Sequence, residues 1–202
     1  DIFIDLWFDV YFFDALDFTN PFFKKSYPAG YEFIVNKFPF IWRFFYYTLD
    51  VKIIYLFASW LRRLINAINC KGLEDYIIAN KPDLIITTHF MPVEVISYLK
   101  RRSKFSGKLL TVVTDFGLHR FWISKEVDRY VVAIESTKKD LMKRGTAEAL
   151  IEALGIPVRL DFLAKKDKSA LIIKLGLREG IFTILIASGG FGAGPVEGLL
   201  KN

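Results

Sequence analysis

Short, unbroken apolar runs separated by helical patterns mark the middle of the chain. The runs at residues 83–88, 109–114 and 130–134 are rich in β-branched side chains, which predicts strands buried on both faces of a sheet. Helical patterns follow the first and third runs, at residues 92–100 and 136–144. Short buried strands that alternate with helices predict an α/β fold with a doubly wound parallel sheet.

The segment before these runs has a different pattern. Residues 30–69 are aromatic and mostly helical in pattern, with a break expected near Pro39. The pairs Asn20–Pro21 and Tyr27–Pro28 predict irregular structure, because a residue that precedes proline is pushed out of the helical region. Residues 2–6 form another apolar run and predict one more strand.

A fourth long apolar run, at residues 182–187, predicts a strand that leads into a glycine-rich stretch. We expect this strand to open a second domain and to stay outside the first sheet. The predicted division is therefore a Rossmann-like domain over residues 1–160 and the truncated start of a second one over residues 161–202. We expect the chain to be a fragment.

Composition narrows the class of protein. Apolar residues make up 52% of the chain, so a sizeable core is possible and disorder is excluded. No apolar run reaches the roughly 18 residues that a membrane span needs, and the acidic start (Asp1, Asp5, Asp9) does not have the pattern of a signal peptide. The single cysteine, Cys70, argues against disulfides and cysteine-based zinc sites and for a reducing cytoplasm.

The basic charge brings several partner classes into view. A net charge of +6 suits nucleic acid, anionic lipid or phosphate-bearing ligands and does not choose among them. Aromatic side chains are interleaved with Lys24, Lys25, Lys37 and Arg43 over residues 22–47. This mixture suits a bilayer interface, and it equally suits a helical layer packed on a sheet.

Candidate catalytic side chains follow the predicted strands. His89 comes after the first strand and Asp115 after the second, and ligands of such sheets bind at the carboxyl ends of the strands. His89 could orient a hydroxyl group, act as a base, or be satisfied by loop carbonyls. Asp115 and His119 could share a proton or hold a sugar hydroxyl. Trp122 could be a platform for a sugar or lipid, or ordinary packing.

The glycine-rich stretch after the fourth run also has two interpretations. Glycines there let backbone N–H groups approach a diphosphate at a helix N-terminus. The alternative is a tight turn from a strand to a helix. The spacing matches neither a dinucleotide fingerprint nor a Walker loop. The residues concerned are Gly189, Gly190, Phe191, Gly192 and Gly194.

Six stretches together carry a resemblance to a known family. They are SYPAGY (26–31), KPDLIITTHFMPVEV (81–95), VVTDFGLHRFWISKEVDRYVVA (112–133), KRG (143–145), GIPV (155–158) and GGFGAG (189–194). In these stretches and their order the chain resembles the monogalactosyldiacylglycerol synthase family, and especially its bacterial branch, the processive diacylglycerol glucosyltransferases. The combination of THF-x-P, TD-x3-H-x2-W and a later GIPV is specific.

The resemblance implies a two-domain glycosyltransferase of the GT-B type. The first domain would bind the lipid acceptor, and the second would bind the nucleotide sugar through the loop at 189–194. The donor would be a UDP-sugar carrying glucose or galactose and the acceptor diacylglycerol, with no cofactor, metal or nucleic acid. The implied catalytic residues are Asp115 and His119, and the implied acceptor-binding residues are His89, Pro92, Trp122, Tyr27 and Pro28.

The family also implies peripheral contact with anionic lipid on the cytoplasmic face of the membrane. A glycine-rich loop with a proposed catalytic histidine would precede Asp1 in the family, so we expect this chain to be inactive alone. Two alternatives stay open: a transferase acting on a polyprenyl-linked acceptor, and a membrane-surface binding module without catalysis.

Overall fold

Four parallel strands form the sheet that organises the chain. The computed structural model describes residues 8–187 and Gly198. The predicted strand at 2–6 and the glycine-rich stretch at 189–194 lie outside these residues. The strands follow one another across the sheet in chain order: β1 (Leu84–Thr87), β2 (Lys108–Val112), β3 (Arg129–Val132) and β4 (Ile151–Ala153).

Seven α-helices and four short 3-10 turns complete the described part of the chain. The helices are α1 (Pro21–Lys37), α2 (Pro39–Asp50), α3 (Lys52–Asn69), α4 (Lys71–Asn80), α5 (Phe90–Arg101), α6 (Glu135–Lys143) and α7 (Lys168–Lys174). The 3-10 turns are Ala15–Phe18, Arg120–Trp122, Glu148–Leu150 and Leu160–Phe162. Helices α1 to α3 come before the sheet, and α5 and α6 connect its strands.

The predicted α/β class and Rossmann-like parallel sheet are confirmed. The first three predicted strands correspond to β1, β2 and β3, and all the strand pairs are parallel. The fourth strand of the sheet, β4, was not predicted, because three residues are too few to show a pattern. It pairs with β3 through residues such as Ile151, which is buried.

The prediction that the strands are buried on both faces is wrong for β1, although Val112 of β2, on the same face as Leu84 and Ile86, is buried. Leu109 and Tyr130 are fully buried on one face, whereas Leu84 and Ile86 on the other are 46% and 44% exposed. Helices α5 and α6 both connect strands that step in the same direction across the sheet. Right-handed crossovers therefore place both helices on one face, and the described residues supply no second layer for Leu84 and Ile86.

The prediction of irregular structure at the two prolines is also wrong. Asn20 accepts a hydrogen bond from the Phe22 N–H and caps α1, and Pro21 occupies a first-turn position where its missing N–H is not needed. The helix then continues through Pro28. The local preference does not decide the structure here, and the adjacent Tyr27 ring lies 6.4 Å from that of His89. The predicted break near Pro39 falls at the start of α2.

Residues 182–187 do not form the strand that the apolar run predicts. They pair with no strand of the described residues, and Phe182 is 89% exposed. A single apolar run without neighbouring strands has no ladder to join. The expectation that this run stays outside the first sheet is confirmed. The domain boundary near residue 160 stays a prediction.

Asp128 fixes the edge of the sheet opposite the predicted site. Its carboxylate accepts hydrogen bonds from Lys100 Nζ, from Lys108 Nζ at 3.1 Å and from the Leu109 N–H at 2.9 Å. Partial burial opposes ionisation, but these donors outweigh it and lower the pKa of Asp128 from 3.8 to about 2. The carboxylate is therefore more stable in the folded protein than in the unfolded chain.

We predict that Asp128→Asn weakens the acid sensitivity of the fold. A depressed folded pKa stabilises the protein above the unfolded pKa near 4, and this gain is lost as the pH falls towards 2. The gain is about 2 kcal/mol at neutral pH. Urea unfolding between pH 5 and pH 2.5 should show a shallower decline for Asp128→Asn than for wild type. Asp75→Asn, in an exposed pair with Lys71, should follow wild type, and an equally steep decline in Asp128→Asn would contradict the prediction.

Candidate active site

The ends of β1 and β2 are held together at one edge of the sheet. Thr87 Oγ1 and Thr111 Oγ1 lie 3.1 Å apart, and Thr114 Oγ1 donates to the Thr88 carbonyl at 3.4 Å. The chain leaves this edge at His89 on one strand and at Asp115 on the other. Both side chains are exposed, so they are placed to meet a ligand.

His89 caps the N-terminus of α5, and one of its ring nitrogens accepts a hydrogen bond. The Met91 N–H donates to Nδ1 at 3.2 Å, so the proton of the neutral ring lies on Nε2. Among residues 8–187, no group bonds Nε2. Desolvation by neighbouring side chains lowers the pKa of His89, while Asp115 and Asp14 act in the opposite direction. His89 is thus suited to donate a hydrogen bond from Nε2 to a ligand oxygen.

Asp115 presents a carboxylate whose orientation is fixed by Trp122. The indole Nε1–H donates to Asp115 Oδ2 at 2.9 Å. Asp115 Oδ1 forms no hydrogen bond with the described residues, and Asp115 is exposed. Trp122 is only 2% exposed, and its ring centroid lies 6.4 Å from that of His89. Burial argues against Trp122 as an open platform and for its role as the residue that orients Asp115.

His119 is buried and uses both ring nitrogens. The Phe121 N–H donates to Nδ1 at 3.2 Å, and Nε2 donates to the Tyr46 carbonyl at 3.1 Å. The ring is 3% exposed. Desolvation lowers the pKa of His119, opposed by the Tyr46 carbonyl and by Asp50. The neutral ring therefore ties the loop after β2 to α2, which favours a positioning role over proton transfer.

The remaining predicted site residues lie around His89 or outside the described part of the chain. Tyr27, on α1, places its ring centroid 6.4 Å from that of His89, and desolvation raises its pKa. Pro28 is the next residue of the same helix. Pro92 lies in the first turn of α5, where a missing N–H is tolerated. Gly189, Gly190, Phe191, Gly192 and Gly194 are outside the described residues.

Asp50, which the sequence did not single out, ties α2 to the loop after β2. Its Oδ1 accepts from the Arg120 N–H at 2.9 Å, and its main-chain carbonyl accepts from Arg120 Nε at 2.7 Å. Arg144 binds both carboxylate oxygens, at 2.6 and 2.8 Å. Partial burial opposes ionisation of Asp50, but the Arg144 and Arg120 hydrogen bonds outweigh it and lower the pKa.

Arg62 of α3 supports the same loop from a second direction. Its guanidinium lies 4.0 Å from the centre of the Phe121 ring and pairs with Glu94 at 2.7 Å. Asn66 also donates to Glu94, at 2.9 Å. The turn Arg120–Trp122 is therefore packed between the helices before the sheet and the strand ends. A hydrogen bond between residues 70 or more positions apart, such as that of Arg120 with Asp50, leaves no pattern that a single sequence can show.

The arrangement can bind and deprotonate a hydroxyl group. A hydroxyl near the strand ends could donate to Asp115 Oδ1 and accept from His89 Nε2. A carboxylate within hydrogen-bond reach of a proton can act as a general base. The site as described thus has one candidate base, one candidate donor and a buried support.

Comparison with known proteins identifies one family over most of the chain. The family model described as monogalactosyldiacylglycerol (MGDG) synthase matches residues 8–158. A processive diacylglycerol beta-glucosyltransferase of Bacillus cereus (strain AH187) is 32% identical over 187 residues, which cover 92% of this chain and 45% of the relative. The proteins of the same name from Bacillus thuringiensis (strain Al Hakam) and Bacillus cytotoxicus are 32% and 31% identical over the same shares. The chain spans about half the length of the curated relatives it matches.

Proposed function

Because this chain belongs to the monogalactosyldiacylglycerol synthase family, we propose that the intact protein transfers glucose or galactose from a UDP-sugar to the 3-hydroxyl of diacylglycerol. The observation that carries this proposal is the exposed Asp115 carboxylate, oriented by the Trp122 indole beside His89. Diacylglycerol offers one hydroxyl group, and one carboxylate with one ring donor matches its single proton and its lone pairs.

In the proposed reaction, Asp115 takes the proton of the acceptor hydroxyl while the oxygen of that hydroxyl attacks the anomeric carbon of the sugar. The new bond joins that carbon to the acceptor oxygen, and the bond to the diphosphate breaks. UDP leaves with the bonding electrons, and Asp115 later returns its proton to water. His89 Nε2–H holds the acceptor oxygen in line, and such orientation lowers the barrier by restricting motion in advance.

The donor would be held by the second domain. We assign the UDP diphosphate to the glycine-rich stretch at 189–194, as the family resemblance implies, because glycines let backbone N–H groups approach a diphosphate. The first domain would then be residues 1–160 and the second would begin at residue 161. This division follows the family, and UDP-sugar dependence is a proposal of the same kind.

We further assign peripheral membrane docking to helices α1 to α3. No described helix is both long and apolar enough to cross a bilayer. These helices nevertheless expose many large apolar side chains, with Phe40 at 75% and Phe57 at 85% exposure. A two-chain acceptor stays in the membrane, so the enzyme would reach it from the cytoplasmic surface.

A transfer assay with the full-length protein tests the proposed function. UDP-glucose and UDP-galactose, each labelled in the sugar, are supplied with vesicles that contain diacylglycerol, polyprenyl phosphate or neither. We expect label in a diacylglycerol product from at least one donor and none in the vesicles without acceptor. Label only in a polyprenyl product would overturn the acceptor assignment. Vesicle binding without transfer to either lipid would indicate a binding module without catalysis.

A further inference from the structure

Helices α2 and α3 contact three successive residues in the loop that contains the turn Arg120–Trp122. These residues are His119, Arg120 and Phe121. His119 Nε2 donates to the Tyr46 carbonyl of α2. Arg120 is bonded through its N–H and its side chain to Asp50, the last residue of α2. The Phe121 ring lies against the Arg62 guanidinium of α3. The fourth residue, Trp122, then points its indole N–H at Asp115.

Asp50 is at the centre of these contacts. Its carboxylate carries three of the hydrogen bonds, from the Arg120 N–H and from both terminal nitrogens of Arg144. A carboxylate at the C-terminus of a helix is disfavoured by the helix dipole. The two arginines offset that cost, so the position of Asp50 is explained by what it holds more than by the stability of α2.

We propose that Asp50 is a positioning residue for sugar transfer, which acts through the Arg120–Trp122 turn to hold the Asp115 carboxylate in its reactive orientation. This inference rests on the function proposed above. Asp50 touches neither Asp115 nor Trp122 in the hydrogen-bond network, so its effect passes through the turn. An error of about 1 Å in the placement of a reacting group can cost up to 100-fold in rate.

Two substitutions distinguish the hydrogen bond of Asp50 with Arg120 from its ion pair with Arg144. Asp50→Asn keeps an oxygen acceptor for the Arg120 N–H but loses the charge that binds Arg144, and Asp50→Ala removes both. In the full-length protein we expect turnover to fall about tenfold for alanine and less for asparagine, with the KM for UDP-sugar changed by no more than about twofold. Asp75→Asn, in an exposed ion pair, is the matched control and should behave as wild type.

Turnover is expressed per molecule that binds UDP-sugar, so unfolded protein does not contribute. A normalised turnover for Asp50→Ala equal to that of wild type would show that Asp50 only stabilises the fold and would overturn the proposal. A tenfold fall in turnover that is accompanied by a change of similar size in the KM for UDP-sugar would also overturn the proposal. The effect would then not be confined to the acceptor side.

A second measurement does not depend on catalysis. In a full-length variant that keeps Trp122 as its single tryptophan, Asp50→Ala should increase iodide quenching of the Trp122 fluorescence, because the turn loosens. Trp122 is 2% exposed in the intact arrangement, so the baseline is low. If wild type transfers no sugar, the proposed function fails, while the quenching still tests whether Asp50 holds the Arg120–Trp122 turn in place. Unchanged quenching would refute the mechanical link.

Discussion

Asp115→Asn should lower sugar transfer by the intact protein at least about 100-fold, with little change in stability. Asparagine has nearly the same shape, and its side-chain oxygen can still accept the hydrogen bond from Trp122 Nε1. What the amide cannot do is take a proton. Asp115 is exposed and contributes no core packing, so its replacement should shift the melting temperature by no more than about 3 °C.

The measurement is the steady-state rate with the UDP-sugar and diacylglycerol, beside thermal unfolding of the same samples. Trp122→Phe is an informative companion, since it keeps an aromatic ring but removes the N–H that orients Asp115. Its rate should fall between those of wild type and Asp115→Asn. If Asp115→Asn keeps more than about a tenth of the wild-type rate, the general base lies elsewhere.

The parallel sheet was predictable because its signal is local. Each of the first three strands overlaps one apolar run, and a run of this kind needs no knowledge of its neighbours to be recognised. The error at Pro28 has the opposite cause. Proline disfavours a helix locally, whereas α1 continues through Pro28, and the contact of Tyr27 with His89 comes from a segment that the local pattern does not include.

The candidate site was predictable at its rim and not in its support. His89 and Asp115 follow strands, and parallel strands place their carboxyl ends at one edge. Nothing in the sequence indicated that His119 would be buried, because the Tyr46 carbonyl that engages it comes from a helix 73 positions earlier. Asp50 and Arg144 are 94 positions apart, and such pairing depends on how the helices pack on the sheet.

The second large effect concerns the helices that come before the sheet. Along α3, Ile53, Phe57, Trp60, Leu64 and Ile68 recur at intervals of three and four residues, so they lie on one face of the helix. All five are exposed, with Ile53 at 79% and Trp60 at 68%. Contiguous exposed apolar surface of this extent marks an interaction site, and the basic residues carried by helices α1 to α3 favour an anionic lipid surface.

The lysines of α1 differ in whether they already form an ion pair. Lys24 is already paired with Asp17 at 2.6 Å, so its attraction to lipid phosphate is reduced. Lys25 and Lys37 are exposed and form no ion pair among the described residues. Each basic residue near an anionic leaflet adds about 1 kcal/mol, and salt screens this attraction. Apolar burial is not screened.

Phe57→Ser/Trp60→Ser should therefore weaken binding of the intact protein to vesicles at least about 100-fold at any salt concentration, since burying each aromatic side chain contributes roughly 1.5–3 kcal/mol. Lys25→Glu/Lys37→Glu should weaken binding only to anionic vesicles and only at low salt. Sedimentation with phosphatidylglycerol and with neutral vesicles measures both effects. Phe162→Ser/Phe182→Ser removes two aromatics that are 79% and 89% exposed elsewhere in the chain and should leave binding unchanged. Equal binding by all three double variants would show that neither the exposed face of α3 nor these lysines contribute to binding of the bilayer.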